Sequence, residues 1–206
     1  VRKSWPKSFA MPDAPLVHIA LMRHARTVWN ESDRIQGWLD SRLSREGVAQ
    51  TRTWARMLED MGFDRLVSSD LGRARTTARC LALRLKLDVE TDRRLRERDY
   101  GSLAGRPRAG RVFDPDERPG SGETLVEVRE RAWDALSDLA RSGGRILMVT
   151  HSGVLQGLLG HLAGPDHPLH EGRLLKSKRL HWVGVKQGVA GILELNGRMR
   201  AAEMPG

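Results

Sequence analysis

Along the chain, short unbroken apolar runs alternate with stripes of helical period, which predicts strands separated by amphipathic helices. Leu16 to Met22 is apolar but for His18, the mark of a strand buried on both faces. Ser44 reads as the N-cap of a helix from Arg45 to about Met61, with Val48, Thr51, Ala55, Leu58 and Met61 turned inward. A second strand is predicted over Arg65–Ser69. Asp70 is then the expected cap of a helix burying Ala74, Thr77, Ala78, Leu81 and Leu85, and Leu87–Thr91 a third strand. Thr124 and Glu127 form a Thr-x-x-Glu capping box for a helix with Val128, Ala132, Leu136 and Leu139 inside. Arg145–Thr150 is the clearest buried strand, and a helix from Val154 to Leu162 follows it. Leu180–Val185 and Ala190–Leu195, with a turn at Gln187-Gly188, suggest a closing hairpin.

This order predicts an α/β fold, a three-layer α/β/α sandwich on a mostly parallel sheet. Residues 1–15, with Pro6, Pro12 and Pro15 and no periodicity, are expected to be a flexible arm, with Met11 an alternative start. Residues 16–206 then form one domain, in which about 92–122 lacks a clear period and reads as an irregular cap over the body.

Composition narrows the function classes. No uncharged apolar run approaches the roughly 18 residues a membrane span needs, and no apolar segment follows the basic residues Arg2 and Lys3 as in a secretory signal. A cytoplasmic protein is expected. Cys80 is the single cysteine, so an intramolecular disulfide and a cysteine zinc site are excluded. A net charge of +9 raises the question of nucleic acid. However, the 29 Arg and 6 Lys are spread among 26 acids rather than gathered, which favours a solvated surface over a binding face.

In an open α/β sheet the ligand crevice lies beyond the carboxyl ends of the strands. Arg23 and His24 directly follow the first strand, Arg73 stands in the first turn of the helix after the second, and His151 ends the strand before a helix amino terminus. Two arginines and two histidines at one rim, with helix N–H groups facing them, make a pocket for a compact anion such as phosphate.

The same residues carry a resemblance. Arg23-His24-Ala25-Arg26-Thr27-Val28-Trp29-Asn30, Gln36-Gly37, Leu43-Ser44-Arg45-Glu46-Gly47, the block from Ser68-Ser69-Asp70-Leu71-Gly72-Arg73-Ala74 to Ala78, Leu95-Arg96-Glu97-Arg98-Asp99-Tyr100-Gly101 and Thr150-His151-Ser152-Gly153 occur in the order of the blocks of the histidine phosphatase superfamily, also called phosphoglycerate mutase-like. The resemblance implies phosphoryl transfer through a phosphohistidine. His24 would be the nucleophile, Glu97 the proton donor, and His151 a third catalytic group. Arg23, Asn30, Arg73, His151 and Ser152 would hold the phosphate, and Arg26, Gln36 and Gly37 would bind substrate. It implies no cofactor and no metal, because positioned arginine charge takes a cation's place.

Two positions depart from the family pattern. Ala25 stands where glycine is usual, and its Cβ is expected to crowd the phosphate or to demand another backbone angle. Arg26 stands where Glu or Gln is frequent, and either favours a more anionic substrate or faces solvent. Glu97, among Arg94, Arg96 and Arg98, reads as the acid or as a surface ion-pair hub, with Asp99 or Glu123 the acid in the second case. The expected activity is that of a phosphomonoester phosphatase on a small phosphorylated metabolite, because the stretch between Glu97 and Glu123 is shorter than the insertion the family's mutases use. The alternatives are a phosphoglycerate mutase-type transfer and a non-catalytic anion- or nucleic-acid-binding protein. A serine hydrolase is disfavoured, since Thr150-His151-Ser152-Gly153-Val154 lacks both glycines of Gly-x-Ser-x-Gly.

Overall fold

The computed structural model describes residues 17–163, 179–186 and 189–198. The expected arm over 1–15 and the turn at Gln187-Gly188 lie outside the described residues. Strands β1 (Val17–Arg23), β2 (Arg65–Ser68), β3 (Val89–Thr91), β4 (Arg145–Thr150), β5 (Arg179–Lys186) and β6 (Val189–Arg198) form one six-stranded sheet in the order β3-β2-β4-β1-β5-β6. β3, β2, β4 and β1 run parallel, and β5 and β6 add antiparallel at the β1 edge. The sheet is thus mostly parallel, as the sequence predicts.

The apolar runs are continuous because both faces of the central strands are covered. Ile19 and Leu21 of β1 and Ile146 and Met148 of β4 face helices α4 (Leu125–Arg141) and α5 (Ser152–Ala163). Ala20, Met22, Leu147 and Val149 face the opposite way, onto α2 (Arg45–Leu58) and α3 (Gly72–Leu85). A short helix, α1 (Val28–Glu31), lies in the loop after β1. No helix among the described residues is long and apolar enough to cross a membrane.

Helix α2 starts as expected, with Ser44 Oγ accepting from Gly47 N at 3.1 Å, but its buried stripe is rotated. Val48 is 37% exposed and Trp54 is buried. Gly47 sets the rotation: a Cβ there would stand 2.0 Å from the Arg26 carbonyl oxygen, so α2 packs its glycine side against the loop after β1. Gln50, Thr51, Trp54, Ala55 and Leu58 complete that face.

Helix α4 has its reciprocal cap. Glu127 N donates to Thr124 Oγ1 at 3.2 Å, and Thr124 N donates to Glu127 Oε2 at 2.9 Å. Val128, Ala132, Leu136 and Leu139 are buried beneath it. The segment 92–122 contains short 3-10 turns at Arg93–Leu95, Gly101–Leu103 and Pro119–Ser121. It is tied to the body by Ile35 N on the Arg106 carbonyl and by Glu123 N on the Asp99 carbonyl. Thr124→Ala removes the α4 cap and is expected to cost about 1 kcal/mol, read as a lower urea midpoint at unchanged m. An unchanged midpoint would show that tertiary packing alone sets this end of the helix.

Candidate active site

Because β2, β4 and β1 are adjacent and parallel, their carboxyl ends open on one rim. The ladders run on beyond the strands, with His24 N donating to the Thr150 carbonyl at 2.9 Å and Ser69 N to the Val149 carbonyl at 3.0 Å. His24, Ser69 and His151 are thereby brought together, all buried. The ring centroids of His24 and His151 are 5.1 Å apart.

The tautomer of His24 follows from its partners. Nδ1 lies 2.8 Å from the Ala25 carbonyl oxygen, which only accepts, so Nδ1 carries the hydrogen. Nε2 then presents a lone pair, and Arg73 Nε donates to it at 3.3 Å. Burial holds the His24 pKa well below the usual 6.5, helped by the Arg73 and Arg23 charges and opposed by the Ala25 hydrogen bond. The imidazole is neutral and its free nitrogen faces a cation, as a nucleophile toward an anionic electrophile requires.

Arg73 is only 2% exposed. Its NH2 donates to the Gly37 carbonyl at 2.8 Å, and its NH1 to the Leu39 carbonyl and to Asp40 Oδ1, both at 2.9 Å. Asp40 also accepts from the backbone N–H groups of Gly72 and Arg73. This corrects the expected cap of α3: Leu71 occupies the N-cap position with no side-chain bond, and the carboxylate comes from Asp40. Asp70 instead holds Arg96 by two hydrogen bonds of 2.7 and 2.6 Å.

Of the expected substrate-binding residues, Gly37 and Gln36 stand beside Arg73 and Thr27, and Arg26 pairs with acids of the α1 and α2 segments. Gly37, with φ +55°, turns its carbonyl to Arg73. Gln36 is buried, and its Oε1 lies 3.1 Å from Thr27 Oγ1, which is also 3.0 Å from Asn30 Oδ1. Asn30 thus ties its amide oxygen to the α1 capping box. The guanidinium of Arg26, 41% exposed, pairs with Glu46 at 3.0 Å and Glu31 at 3.9 Å. The cations that depress the His24 pKa are Arg73 and Arg23. Ala25 neither crowds the rim nor strains the chain: it is buried among Trp54, Ala74 and Ala78, and its φ is not positive.

Glu97 sits at the amino end of α5, which begins at Ser152, two residues before the predicted start. Oε1 accepts from Gly153 N at 2.8 Å and Arg98 N at 2.9 Å, and Oε2 accepts from Ser152 Oγ at 3.1 Å. The Ser152 hydroxyl therefore holds Glu97. A Cβ on Gly153 would stand 2.3 Å from Oε1, so glycine is required for this approach. The neighbouring arginines turn away. Arg94 pairs with Asp92 and Asp138, Arg96 with Asp70, and Arg98 with the carbonyls of Asp114, Glu117 and Glu123. The Glu97 charge favours the protonated guanidinium groups of Arg23 and Arg73. Glu123 is held by two hydrogen bonds of 2.8 Å from Arg131, which also donates to the Glu97 carbonyl at 2.9 Å.

Arg23 adds a guanidinium whose Nε is buried without a hydrogen-bond partner, a state that costs ~1–3 kcal/mol and that an anion relieves. His151 Nδ1 is likewise buried and unpartnered. Burial, followed by the charges of Arg73, His24, Arg23 and Arg131, holds the His151 pKa well below 6.5. Among the described residues, no group of three or more His, Cys, Asp and Glu side chains is placed to hold a metal ion.

Sequence reading missed Asp40, Ser69, Tyr100, Arg108 and Arg131 as site residues. Ser69 and Tyr100 lie within family-like blocks and Asp40 between two of them, whereas Arg108 lies in the aperiodic segment. The Arg108 charge opposes protonation of Arg23 and lowers the Tyr100 pKa, which burial raises.

The model of the histidine phosphatase superfamily, branch 1, matches residues 19–196. The chain belongs to this superfamily. A phosphoglycerate mutase-like protein of Arabidopsis thaliana is 36% identical over 167 residues, 73% of each chain. A probable phosphoglycerate mutase of Yersinia pestis is 33% identical over 175 residues, 78% of this chain and 80% of that one. A mycobacterial glucosyl-3-phosphoglycerate phosphatase, solved in complex with VO3, superposes with a TM-score of 0.75 at 26% identity over 87% of this chain and 98% of that one. The superfamily thus includes both phosphatase and mutase-like neighbours of this chain.

The buried neutral histidines of this superfamily member give its stability a pH dependence of definite sign. Both folded pKa values lie below the unfolded 6.5, so the unfolded chain binds more protons as pH falls. Stability is complete above 6.5 and declines below it, by about 1.4 kcal/mol per pH unit for each histidine, until the folded pKa is reached. Urea unfolding between about pH 7 and pH 5.5 should show this decline, and His24→Gln should make it shallower. Equal slopes in the two proteins would contradict a neutral buried His24.

Proposed function

We propose that the protein is a metal-independent phosphomonoester phosphatase that acts on a small phosphorylated metabolite through a phosphohistidine at His24. The observation that carries the proposal is the unprotonated Nε2 of His24, 3.3 Å from Arg73 Nε and held in that tautomer by the Ala25 carbonyl.

Substrate phosphate takes the place of the ring as partner of Arg73 Nε and gives Arg23 Nε an acceptor. His151 and the amide nitrogen of Asn30 complete the set of donors to the phosphoryl oxygens. The donors are fixed before the reaction, so they stabilise charge as it spreads over those oxygens without reorganising. The Nε2 lone pair forms the N–P bond as the P–O bond to the leaving group breaks. The protonated Glu97 carboxyl gives its proton to the departing alkoxide. Glu97, now ionised, takes a proton from a water, whose oxygen attacks phosphorus, breaks the N–P bond and restores the His24 lone pair. The Glu97 carboxyl stands at the amino end of α5, while the Arg94, Arg96 and Arg98 side chains are paired with other groups.

Water as acceptor is supported by the short cover, 25 residues between Glu97 and Glu123. The names of the two sequence relatives support a second reading, phosphoglycerate mutase-type transfer. With a phosphoglycerate as substrate, release of inorganic phosphate supports the first reading, and an isomeric phosphoglycerate the second.

Brief incubation with a 32P-labelled phosphomonoester, without added metal and with EDTA, should leave acid-labile, alkali-stable label on the native chain and none on His24→Ala. Label that persists in the variant, or that appears only with a divalent ion, would overturn the mechanism. Glu97→Gln should slow hydrolysis of alkyl phosphates by ~10²–10⁴-fold and that of p-nitrophenyl phosphate much less, because p-nitrophenolate leaves without a proton. Equal losses on both, with a lowered melting temperature, would return Glu97 to a structural role.

A further inference from the structure

His151 is the least explained group of the pocket: a buried ring with one nitrogen bonded and the other unpartnered. Its bonded nitrogen, Nε2, lies 2.8 Å from Ser69 Oγ, and a hydroxyl and an imidazole nitrogen can each serve as donor there. The surroundings of Ser69 remove that ambiguity. Ser69 is fully buried, so its hydroxyl hydrogen needs an acceptor within the protein. Its oxygen already accepts from Leu71 N at 3.3 Å, and its own carbonyl is taken by Ser68 Oγ at 2.9 Å. Among the described residues, His151 Nε2 is the one acceptor bonded to that hydroxyl. The hydroxyl donates, Nε2 accepts, and the ring hydrogen stands on Nδ1.

We propose that Ser69 is a positioning residue that fixes His151 as the Nδ1–H tautomer, making it a neutral hydrogen-bond donor to a phosphoryl group held on His24. The alternative donor, a charged imidazolium, would be repelled by the guanidinium charges of Arg73 on α3, Arg23 at the end of β1 and Arg131 on α4. A neutral ring presenting N–H gives the phosphoryl oxygens a hydrogen bond without that repulsion. The arrangement also separates the roles of the two histidines. The Ala25 carbonyl takes the Nδ1 hydrogen of His24 and leaves its Nε2 unprotonated, with Arg73 Nε as its partner until substrate binds. The Ser69 hydroxyl fills Nε2 of His151 and leaves its Nδ1–H free to donate.

The identity of the accepted group rests on the phosphohistidine reading above, whereas the tautomer does not, and the experiment keeps the two apart. Nitrogen-15 spectra of the native protein with labelled histidine, His151 being assigned by its loss in His151→Gln, should show a protonated Nδ1 and an unprotonated Nε2. A protonated Nε2, alone or together with Nδ1, overturns the proposal whatever the enzyme turns over. In Ser69→Ala the ring loses its fixed partner, and the Nδ1–H signature should give way to a mixture of tautomers. Turnover of a phosphomonoester should fall about tenfold, the worth of one misaligned hydrogen bond to a charged group. A Ser69→Ala protein that keeps the native tautomer and turnover would also overturn the proposal. Should that variant not fold, the native spectrum alone decides.

Discussion

The burial of the Arg73 guanidinium at the carboxyl rim is the constraint from which the site is built. Removing a cation from water costs several kcal/mol unless a counter-charge and hydrogen-bond acceptors surround it. Asp40 supplies the charge, and the Gly37 and Leu39 carbonyls accept two more hydrogen bonds. Meeting these demands fixes the loop after α1, whose carbonyls must turn inward. It also fixes the first turn of α3, whose N–H groups share the Asp40 carboxylate, and the His24 ring, whose lone pair receives Nε. The Arg73 guanidinium and the His24 ring, which the proposed mechanism uses as anion binder and nucleophile, are set by one packing problem.

The other arginines show why so basic a chain can still keep a carboxyl poised. Arg94, Arg96 and Arg98 flank Glu97 in sequence, yet each is drawn off by acids or carbonyls of other elements. The part-exposed ion pairs of Arg94 and Arg96 add little stability one by one. Their effect here is directional, because each removes a positive field from Glu97 and leaves Arg23 and Arg73 as its charged neighbours. Arg131 acts from the other side, with a guanidinium that spans Glu123 and the backbone of the 94–97 turn and so holds Glu97 against α5.

What the sequence made legible was what is encoded locally. The apolar runs of β1 and β4 and the caps at Ser44 and Thr124 each depend on neighbours a few residues away. The strand-end positions of Arg23, His24, Arg73 and His151 followed from those elements. Long-range contacts hid the rest. The α3 cap was read into adjacent Asp70, but the carboxylate comes from Asp40, 33 residues before Arg73. The hydroxyl of Ser152, expected at the phosphate, donates to Glu97, 55 positions away, a partner that no local pattern reveals. Val48 has the right spacing for the core, but a backbone approach at Gly47 rotates α2 away from it.

The central claim is that His24 Nε2 is the attacking atom and that Arg73 Nε passes from the ring to the phosphoryl group. A crystal structure of this chain with vanadate tests it most directly. The account predicts vanadium bonded to His24 Nε2, Arg73 Nε moved onto a vanadate oxygen, and Arg23 Nε provided with an acceptor. Vanadate bound away from His24, with Arg73 Nε still donating to the ring, would contradict it.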